Sequence, residues 1–511
     1  TVTGETSQVT VKQNCVITAR VSNSIGEMIG ASITVDNIDR TLPTISVGNT
    51  VTIDYGTTKD ISEYFTIVAN GTSDITDIIY VDTSNENVDV ENTNTLGVGT
   101  HIIQCVATKE TGAMSSATMT IVVEKGVFGN LYKISDIEYH LIFNGTGEIA
   151  QGYTENQLIV KGDNIKDGAG RIELSNGTFI SDQLWEPYSA NITKVKIEEE
   201  INPRSTEYYF RGLKAINEIE EFYNIDVSNV TSMRSMFEEC SNLISLDVSK
   251  WDTTCVTDME DMFWKCYNLN NIDVSKWNTE KVEDMQGMFA QCGSLTSLDV
   301  SKWDTGNVTD MYNMFAECRN IISLDISEWD TRSVIRIQSL FQDCQNITNL
   351  DVSEWKTGNI ENMQDVFLRC YKLESIDVSN WNTSSATNMI GMFNGCYSLE
   401  NLNLSRFDTS NVTNMAYMFN GCQKLLSLDV SNFDTSKVYD MTAMFSSAYQ
   451  LTTIYVSDKW SNISIAYSTG MFKNSAKLVG ANGTVSYSSS NANDITYANY
   501  INGYFTIKEE T

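Results

Sequence analysis

Cysteine is the residue type with the most distinctive chemistry in this chain, and eight of its 11 cysteines recur at one fixed step, the interval from Cys240 to Cys266. A zinc site needs four ligands that converge on one point, and cysteines placed once per repeat do not converge. Free cysteine also behaves as a small apolar residue. We therefore predict that the eight are buried, with occasional disulfides between neighbouring units left open. The series is Cys240, Cys266, Cys292, Cys318, Cys344, Cys370, Cys396 and Cys422, and Cys255, out of phase, is predicted to be an exposed thiol.

Aspartate and serine follow the same step and form a set that we call the Asp–Ser row. Carboxylates repeated at strand spacing repel one another, so serine hydroxyls, bound cations or a basic ligand must offset the charge. Two interpretations stay open: the aspartates cap a strand, or they form an acidic groove for a cationic or calcium-bridged partner. The candidate binding residues are Asp247, Asp273, Asp299, Asp325, Asp351, Asp377, Ser249, Ser275, Ser301 and Ser327, and Asn403 and Asp429 continue the aspartate position.

Large aromatic residues also recur at this step, and they could stack on sugar rings. An exposed stripe of nine large rings would promote aggregation, so a packed ladder inside the fold is the favoured interpretation. The ladder consists of Trp251, Trp277, Trp303, Trp329, Trp355, Trp381, Phe407, Phe433 and Trp460.

The apolar pattern of one 26-residue unit predicts the secondary structure that positions these residues. Val256, Met259, Met262, Phe263, Cys266 and Leu269 recur mostly at steps of three and four, which predicts a helical face. Ile272 and Val274 then alternate with polar residues, which predicts a short strand. Because one such unit cannot bury its own apolar face, stacked units are expected to share a core. The prediction for 205–511 is an α/β leucine-rich-repeat-type solenoid with a parallel sheet.

The repeat Leu-Asp-Val-Ser-x-Trp-Asp-Thr-x-x-Val-Thr-Asp-Met-x-x-Met-Phe-x-x-Cys resembles that of BspA-like bacterial surface proteins. The segments at 210–213 and 477–484 also resemble the flanks of that family's repeats. The resemblance implies an extracellular adhesion protein whose repeat region carries a cap at each end.

The region before the repeats has short alternating strands, which predict immunoglobulin-like β-sandwich modules in a multidomain chain. We assign 1–42 to a partial immunoglobulin-like domain and 43–125 to a β-sandwich that resembles the hyalin type. Residues 126–204 are predicted to be a β-rich linker domain or a cap of the solenoid. Asp36 and Asp39, at the junction of the first two modules, are weak calcium candidates, and calcium is the only cofactor we consider possible.

Catalytic residues are not recognisable in the sequence. The only histidines, His101 and His140, are in no serine or cysteine motif, and each is predicted to lie on a strand. There is no glycine-rich phosphate loop, and carboxylate pairs in so acidic a chain do not mark a glycosidase. We predict that the protein is not an enzyme.

Net charge and hydropathy limit the partners. A net charge of −32 repels nucleic-acid backbones, and no run of about 18 apolar residues predicts a transmembrane segment. The expectation is an extracellular protein on a cell surface that binds a protein or glycan of a host or neighbouring cell. The alternative is a phage or virion fibre or decoration protein, because such particles also carry immunoglobulin-like domains and repeats.

Overall fold

The computed structural model describes residues 14–22, 28–35, 38–162, 165–167, 171–173, 179–181, 185–480 and 495–508. The chain forms two compact units, Thr1–Gly126 and Val127–Thr511. Within the described ranges the regular elements are β-strands and short 3-10 helices, with no α-helix. The 3-10 helices are Ile61–Tyr64, Thr93–Thr95, Glu186–Asn191, Phe222–Asn224 and Ile495–Tyr497.

Among its described residues, the first unit has nine strands in three sheets. They are β1 Cys15–Ser22, β2 Met28–Val35, β3 Thr44–Val47, β4 Val51–Asp54, β5 Phe65–Val68, β6 Ile75–Asp82, β7 Val88–Asp89, β8 Gly99–Lys109 and β9 Met114–Glu124. Strands β1 and β2 pair with each other, as do β3 and β5, and the third sheet has the order β4-β9-β8-β6-β7. Strands β8 and β9 form an antiparallel hairpin, and alternate β8 side chains are buried against residues such as Ile61 and Phe65.

In the part of the second unit that precedes the repeats, the residues that the structure describes form six strands. They are β10 Phe128–Ser135, β11 Glu138–Asn144, β12 Leu158–Val160, β13 Arg171–Glu173, β14 Phe179–Ser181 and β15 Ile192–Ile197. Four of them form a sheet of order β12-β10-β11-β15, and β13 pairs with β14. Phe143 of this sheet packs edge-on against Phe210, and Phe210 stacks on Phe237 of the first repeats. One apolar core therefore runs from Val127 to Phe505.

Within the described ranges, the repeats and the segment after them contain seven short strands: β16 Ser245–Leu246, β17 Asn271–Ile272, β18 Asn349–Leu350, β19 Ser375–Ile376, β20 Ser427–Asp429, β21 Thr453–Val456 and β22 Phe505–Ile507. They pair in parallel, but only as β16-β17, β18-β19 and β20-β21-β22. The prediction of an α/β solenoid with a parallel sheet is therefore wrong. The units instead stack mainly through turns and single parallel bridges, such as Asp258 to Asp284 and Asp284 to Asp310, and we call this arrangement the repeat stack.

Two backbone positions per unit prevent the predicted helix. In the unit that starts at Val256, Asp261 and Lys265 have φ angles of 54° and 61°, in the left-handed region that a right-handed helix excludes. The first position is left-handed at Ser235, Asp261, Gly287, Asn313, Ser339, Asp365, Gly391, Tyr417 and Ala443, and the second at Glu239, Lys265, Gln291, Glu317, Asp343, Arg369, Gly395, Gly421 and Ser447. Glycine, asparagine and aspartate, which tolerate this region best, recur at the first position.

Backbone hydrogen bonds show what replaces the helix. The N–H groups of Asp261 and Phe263 donate to Gln286 and Met288 of the next unit at 2.8 and 2.9 Å. Between them, the N–H of Met262 donates to Met259 of its own unit, three residues back. Alternate residues thus bond to the neighbouring unit and to the preceding turn. Consecutive turns bury a residue about every three positions, as one face of a helix does, so the apolar spacing was compatible with both structures.

The cysteine and aromatic ladders are buried, as predicted. All eight cysteines of the series have zero exposure, and each thiol lies within hydrogen-bond distance of a phenylalanine carbonyl of the preceding unit, as Cys266 does with Phe237 at 3.1 Å. All 11 cysteines are free. The indoles stack with centroids about 6 Å apart, and the indole N–H of Trp277 donates to the carbonyl of Val248. At the end of the ladder Trp460 is only partly buried.

A threonine ladder also joins the units. Its members have at most 1% exposure, and each hydroxyl donates to a backbone carbonyl of the next unit, as Thr305 does to Asp330 at 3.0 Å. Buried hydroxyls bonded in this way align neighbouring units without leaving polar atoms unpaired. The ladder is Thr253, Thr279, Thr305, Thr331, Thr357, Thr383, Thr409 and Thr435.

Candidate functional site

The Asp–Ser row lies on the surface, in turns rather than on strand faces. The Asp247 carboxylate accepts the backbone N–H and the hydroxyl of Ser249 at 3.2 and 2.6 Å. The pairs at 273 and 275, 299 and 301, and 325 and 327 repeat both contacts. The backbone N–H groups of Ser353 and Ser379 likewise donate to Asp351 and Asp377. Such a turn ends a strand, which explains why the strands are only about two residues long.

The serine contacts compensate part of the row's charge. The hydroxyl and the N–H of the serine lower the pKa of Asp247, Asp273 and Asp377. All six aspartates of the row are exposed, whereas the paired serines are half-buried. The bonded oxygen of each pair is Oδ1. The row therefore presents a regular series of ionised carboxylates to the solvent.

Asp429 shows how such a carboxylate receives a cation. Lys508, which follows strand β22, places its ammonium 2.5 Å from Asp429 Oδ2, while the backbone N–H of Ser431 donates to Oδ1. Burial opposes ionisation here, but hydrogen bonds from Lys508 and Ser431 hold the pKa of Asp429 below its ordinary value. The Asp-Ser turn thus leaves the second oxygen free to bind an ammonium group.

Asp39 has an ammonium partner of its own. The buried Lys109 donates to Asp39 Oδ2 at 2.6 Å and also to the carbonyls of Thr41 and Asn70. Lys109 and the N–H groups of Ser73 and Thr41 lower the pKa of Asp39 strongly. Its carboxylate fastens one segment of the first unit to another. Asp36 lies outside the described residues, and among those described no group of three or more His, Cys, Asp or Glu is arranged to hold a metal ion.

Both histidines lie on strands, as predicted. His101 lies 2.6 Å from Asp82, which also accepts the Ser84 hydroxyl at 2.5 Å, so serine, aspartate and histidine are neighbours. In a catalytic triad the serine would contact the imidazole, but here the second ring nitrogen of His101 faces the carbonyl of Gly97 at 2.7 Å. The cluster is therefore arranged to hold a loop. His140 lies against the hydroxyl of Tyr153.

A groove of about 420 Å³ opens on the turn face of the repeat stack, where the repeat departs from its usual side chains. Trp264 occupies a position that holds alanine in the next two units, at Ala290 and Ala316, and all three line the groove. Tyr312 contributes a second aromatic ring. The groove is not apparent from the repeat pattern, and its clearest signal in the sequence is Trp264, which departs from the residues at the same position of the next two units.

Asp261, which lines the groove, is influenced by several other carboxyl groups. Burial, together with Glu260 and Glu238, raises the pKa of Asp261 to about 8. Burial also raises the pKa of Glu260 to about 7, although Arg234 forms an ion pair with it. The pKa of Asp284 in the next unit is raised for the same reason. Asp261 is therefore mostly protonated at neutral pH and can donate a hydrogen bond as well as accept one.

Turn-based units that stack at a fixed period place the chain in the class of repeat proteins. The chain belongs to the family described as Mycoplasma protein of unknown function, DUF285, whose model matches residues 204–322, 291–400 and 370–484, together more than half of the chain. These matches support the resemblance of the repeats to BspA-like proteins. Among curated proteins, none matches this sequence. In the described ranges, no helix combines the length and the apolar composition that crossing a bilayer requires.

Proposed function

We propose that the protein is a non-catalytic extracellular binding protein of a cell surface, in which the Asp–Ser row contacts basic groups on a protein of a host or neighbouring cell. The ammonium of Lys508 on Asp429 is the observation that carries this proposal, because it is an example of the contact within the chain. The strand-rich first unit serves in this proposal as an immunoglobulin-like spacer.

Spacing and charge support a multivalent contact. A partner that contacts several turns gains avidity from weak individual contacts, because each exposed ion pair contributes at most about 1 kcal/mol. Attraction between a chain of charge −32 and a basic partner also accelerates association and weakens as salt screens it. Binding through the row is therefore expected to be strong at low salt and weak at high salt.

The test compares the full chain with a variant that carries Asp273→Asn, Asp299→Asn and Asp325→Asn. Asparagine maintains the turn, because Asn403 accepts the N–H of Ser405 at the same repeat position. We expect this variant to bind intact host cells at least fivefold more weakly in low salt, as measured by flow cytometry of the labelled chain.

The matched control removes the same charge from other exposed turns, with Asp252→Asn, Asp304→Asn and Asp408→Asn. Each of these carboxylates accepts the N–H of the residue two positions on, and Asn278 and Asn382 occupy the equivalent position in other units. We expect the control to bind like the unmodified chain. Equal binding by both variants would rule out the row as the contact surface.

A further inference from the structure

The groove on the turn face has the composition of a small-molecule site. Gly287, Ala290 and Ala316 line the groove with small side chains or none, which leaves room for a ligand. Trp264 and Tyr312 line it as well. Its volume of about 420 Å³ falls within the range of roughly 300–1,000 Å³ for ligand pockets. The same positions of other units carry larger residues, such as Leu368 in place of Ala316. The groove is thus a local feature in a repetitive surface.

Several polar side chains that line the groove have no hydrogen-bond partner in the part of the chain that the structure describes. Ser339 is only 9% exposed, and within the described part of the chain its hydroxyl makes no hydrogen bond. The side chains of Asp261, Asn313 and Gln342, which also line the groove, likewise have no hydrogen-bond partner among the described residues. The polar atoms of these four side chains are open to solvent, since none of them is among the fully buried side-chain atoms that lack a partner. A ligand that supplies donors and acceptors can take the place of that water.

The two aromatic rings are held by cations of the chain itself. The ammonium of Lys265 lies 4.1 Å from the ring centroid of Trp264, and the guanidinium of Arg336 lies 5.0 Å from that of Tyr312. Lys265 is fixed in turn by Glu239, and Arg336 by Asp310. Rings restrained in this way lose little conformational freedom when a ligand packs on them.

We propose that this groove binds a neutral glycan, with a sugar ring against Trp264 or Tyr312 and its hydroxyl groups bonded to Asp261, Asn313, Ser339 and Gln342. A sugar ring combines apolar C–H faces, which pack on aromatic rings, with hydroxyls that both donate and accept hydrogen bonds. The acidic surroundings disfavour anionic sugars. A purely apolar ligand would leave the polar lining unsatisfied. A basic peptide would gain little, because burial keeps Asp261 mostly neutral at pH 7 and Glu317 already pairs with Arg319.

The test uses the full chain on a printed array of neutral oligosaccharides that carry terminal galactose, glucose, mannose or fucose. Any sugar bound on the array is then titrated as the free oligosaccharide by calorimetry. Trp264→Ala removes one ring, and the repeat accommodates alanine at that position in the next two units. Ala316→Leu fills the floor with the residue found at 368. We expect at least a tenfold loss of affinity in each variant.

The control is Tyr397→Ala, which removes an exposed ring outside the groove and should leave sugar affinity unchanged. The proposal is overturned if no neutral sugar binds at millimolar concentration, or if both groove variants bind the sugar as the unmodified chain does. It is also overturned if protease treatment of target cells, but not periodate oxidation of their glycans, abolishes the groove-dependent part of cell binding. These outcomes do not involve the Asp–Ser row, so a failed groove and a failed row are distinguishable.

Discussion

Replacing Asp261 with asparagine should stabilise the repeat stack at neutral and alkaline pH. This carboxyl is mostly buried, has no hydrogen-bond partner among the described residues, and lies near Glu260, Glu238 and Asp284. Asparagine has nearly the same shape, and it tolerates the left-handed backbone of this position, where φ is 54°. The substitution therefore removes an unfavourable ionisation and leaves the packing against Gly287 unchanged.

The size of the effect follows from the pKa of Asp261, which rises from 3.8 to about 8 in the folded chain. Each pH unit between the ordinary pKa and the solution pH costs about 1.4 kcal/mol, so at pH 7 folding would lose at most about 4 kcal/mol. Water in the groove screens part of that cost, and we expect asparagine to recover about 2 kcal/mol. The corresponding rise in melting temperature is roughly 2–3 °C, because the unfolding entropy scales with the size of the second unit, Val127–Thr511.

The dependence on pH separates this electrostatic cause from others. A raised carboxyl pKa destabilises the fold only where the unfolded chain is ionised. The penalty is therefore absent below about pH 4, grows as the pH rises towards 8 and is constant above that value. We expect the melting temperatures of the two proteins, measured by calorimetry, to coincide near pH 4 and to diverge up to pH 8.

Asp365→Asn is the matched control. Asp365 occupies the same left-handed position four units later and lies against Gly391 as Asp261 lies against Gly287. Burial raises its pKa, but Gln364 donates a hydrogen bond to it and Arg369 attracts its charge. Its substitution should stabilise the chain less. A gain from Asp261→Asn that is independent of pH would refute the electrostatic reasoning and assign the effect to the backbone preference of asparagine.

Four further outcomes are expected. Maleimide should label the native chain at Cys15 and Cys255, the half-buried thiols, and the urea-unfolded chain at all 11 cysteines, as measured by intact-protein mass spectrometry. Labelling of the native chain at more sites would contradict the buried cysteine ladder. Lys109→Met should accelerate amide hydrogen exchange at least tenfold in the segments that Asp39 joins, with the peptides of the repeats as internal control. Unchanged exchange would show that the ion pair between Lys109 and Asp39 does not hold these segments. Thr305→Val should lower the free energy of unfolding, measured in urea, by about 1–2 kcal/mol, because the hydrogen bond of the Thr305 hydroxyl is lost. An unchanged free energy would show that the threonine ladder does not stabilise the fold. Calcium and chelator should leave the melting temperature unchanged, because the Asp-Ser turns already provide donors to the carboxylates. A rise with calcium would instead support the calcium-bridged interpretation of the row.

The sequence alone determined which residues enter the core of the repeats. A 26-residue period with apolar residues at fixed positions requires stacked units, so the burial of the cysteines and of nearly all the large aromatic residues could be predicted. The exposure of the Asp–Ser row followed from the same pattern. Its binding role stays a prediction, as do the extracellular location and the absence of catalysis.

Local geometry was not determined by the sequence pattern. Steps of three and four residues fit a helix and a series of turns equally well, and the neighbouring unit decides between them by accepting alternate N–H groups, such as those of Asp261 and Phe263. The pattern also did not decide between capping and an acidic groove for the aspartates, and in the structure the turns of Asp247 and Asp273 end the strands, as capping requires.

Only the tertiary structure brought the groove residues together. Asp261 and Ser339 are three repeat units apart in the sequence, and they line one groove because stacking brings the same face of each unit into register. A pattern search emphasises what the units share. The groove depends on positions at which the units differ, such as Trp264, Gly287 and Tyr312. These residues become neighbours only because the units stack.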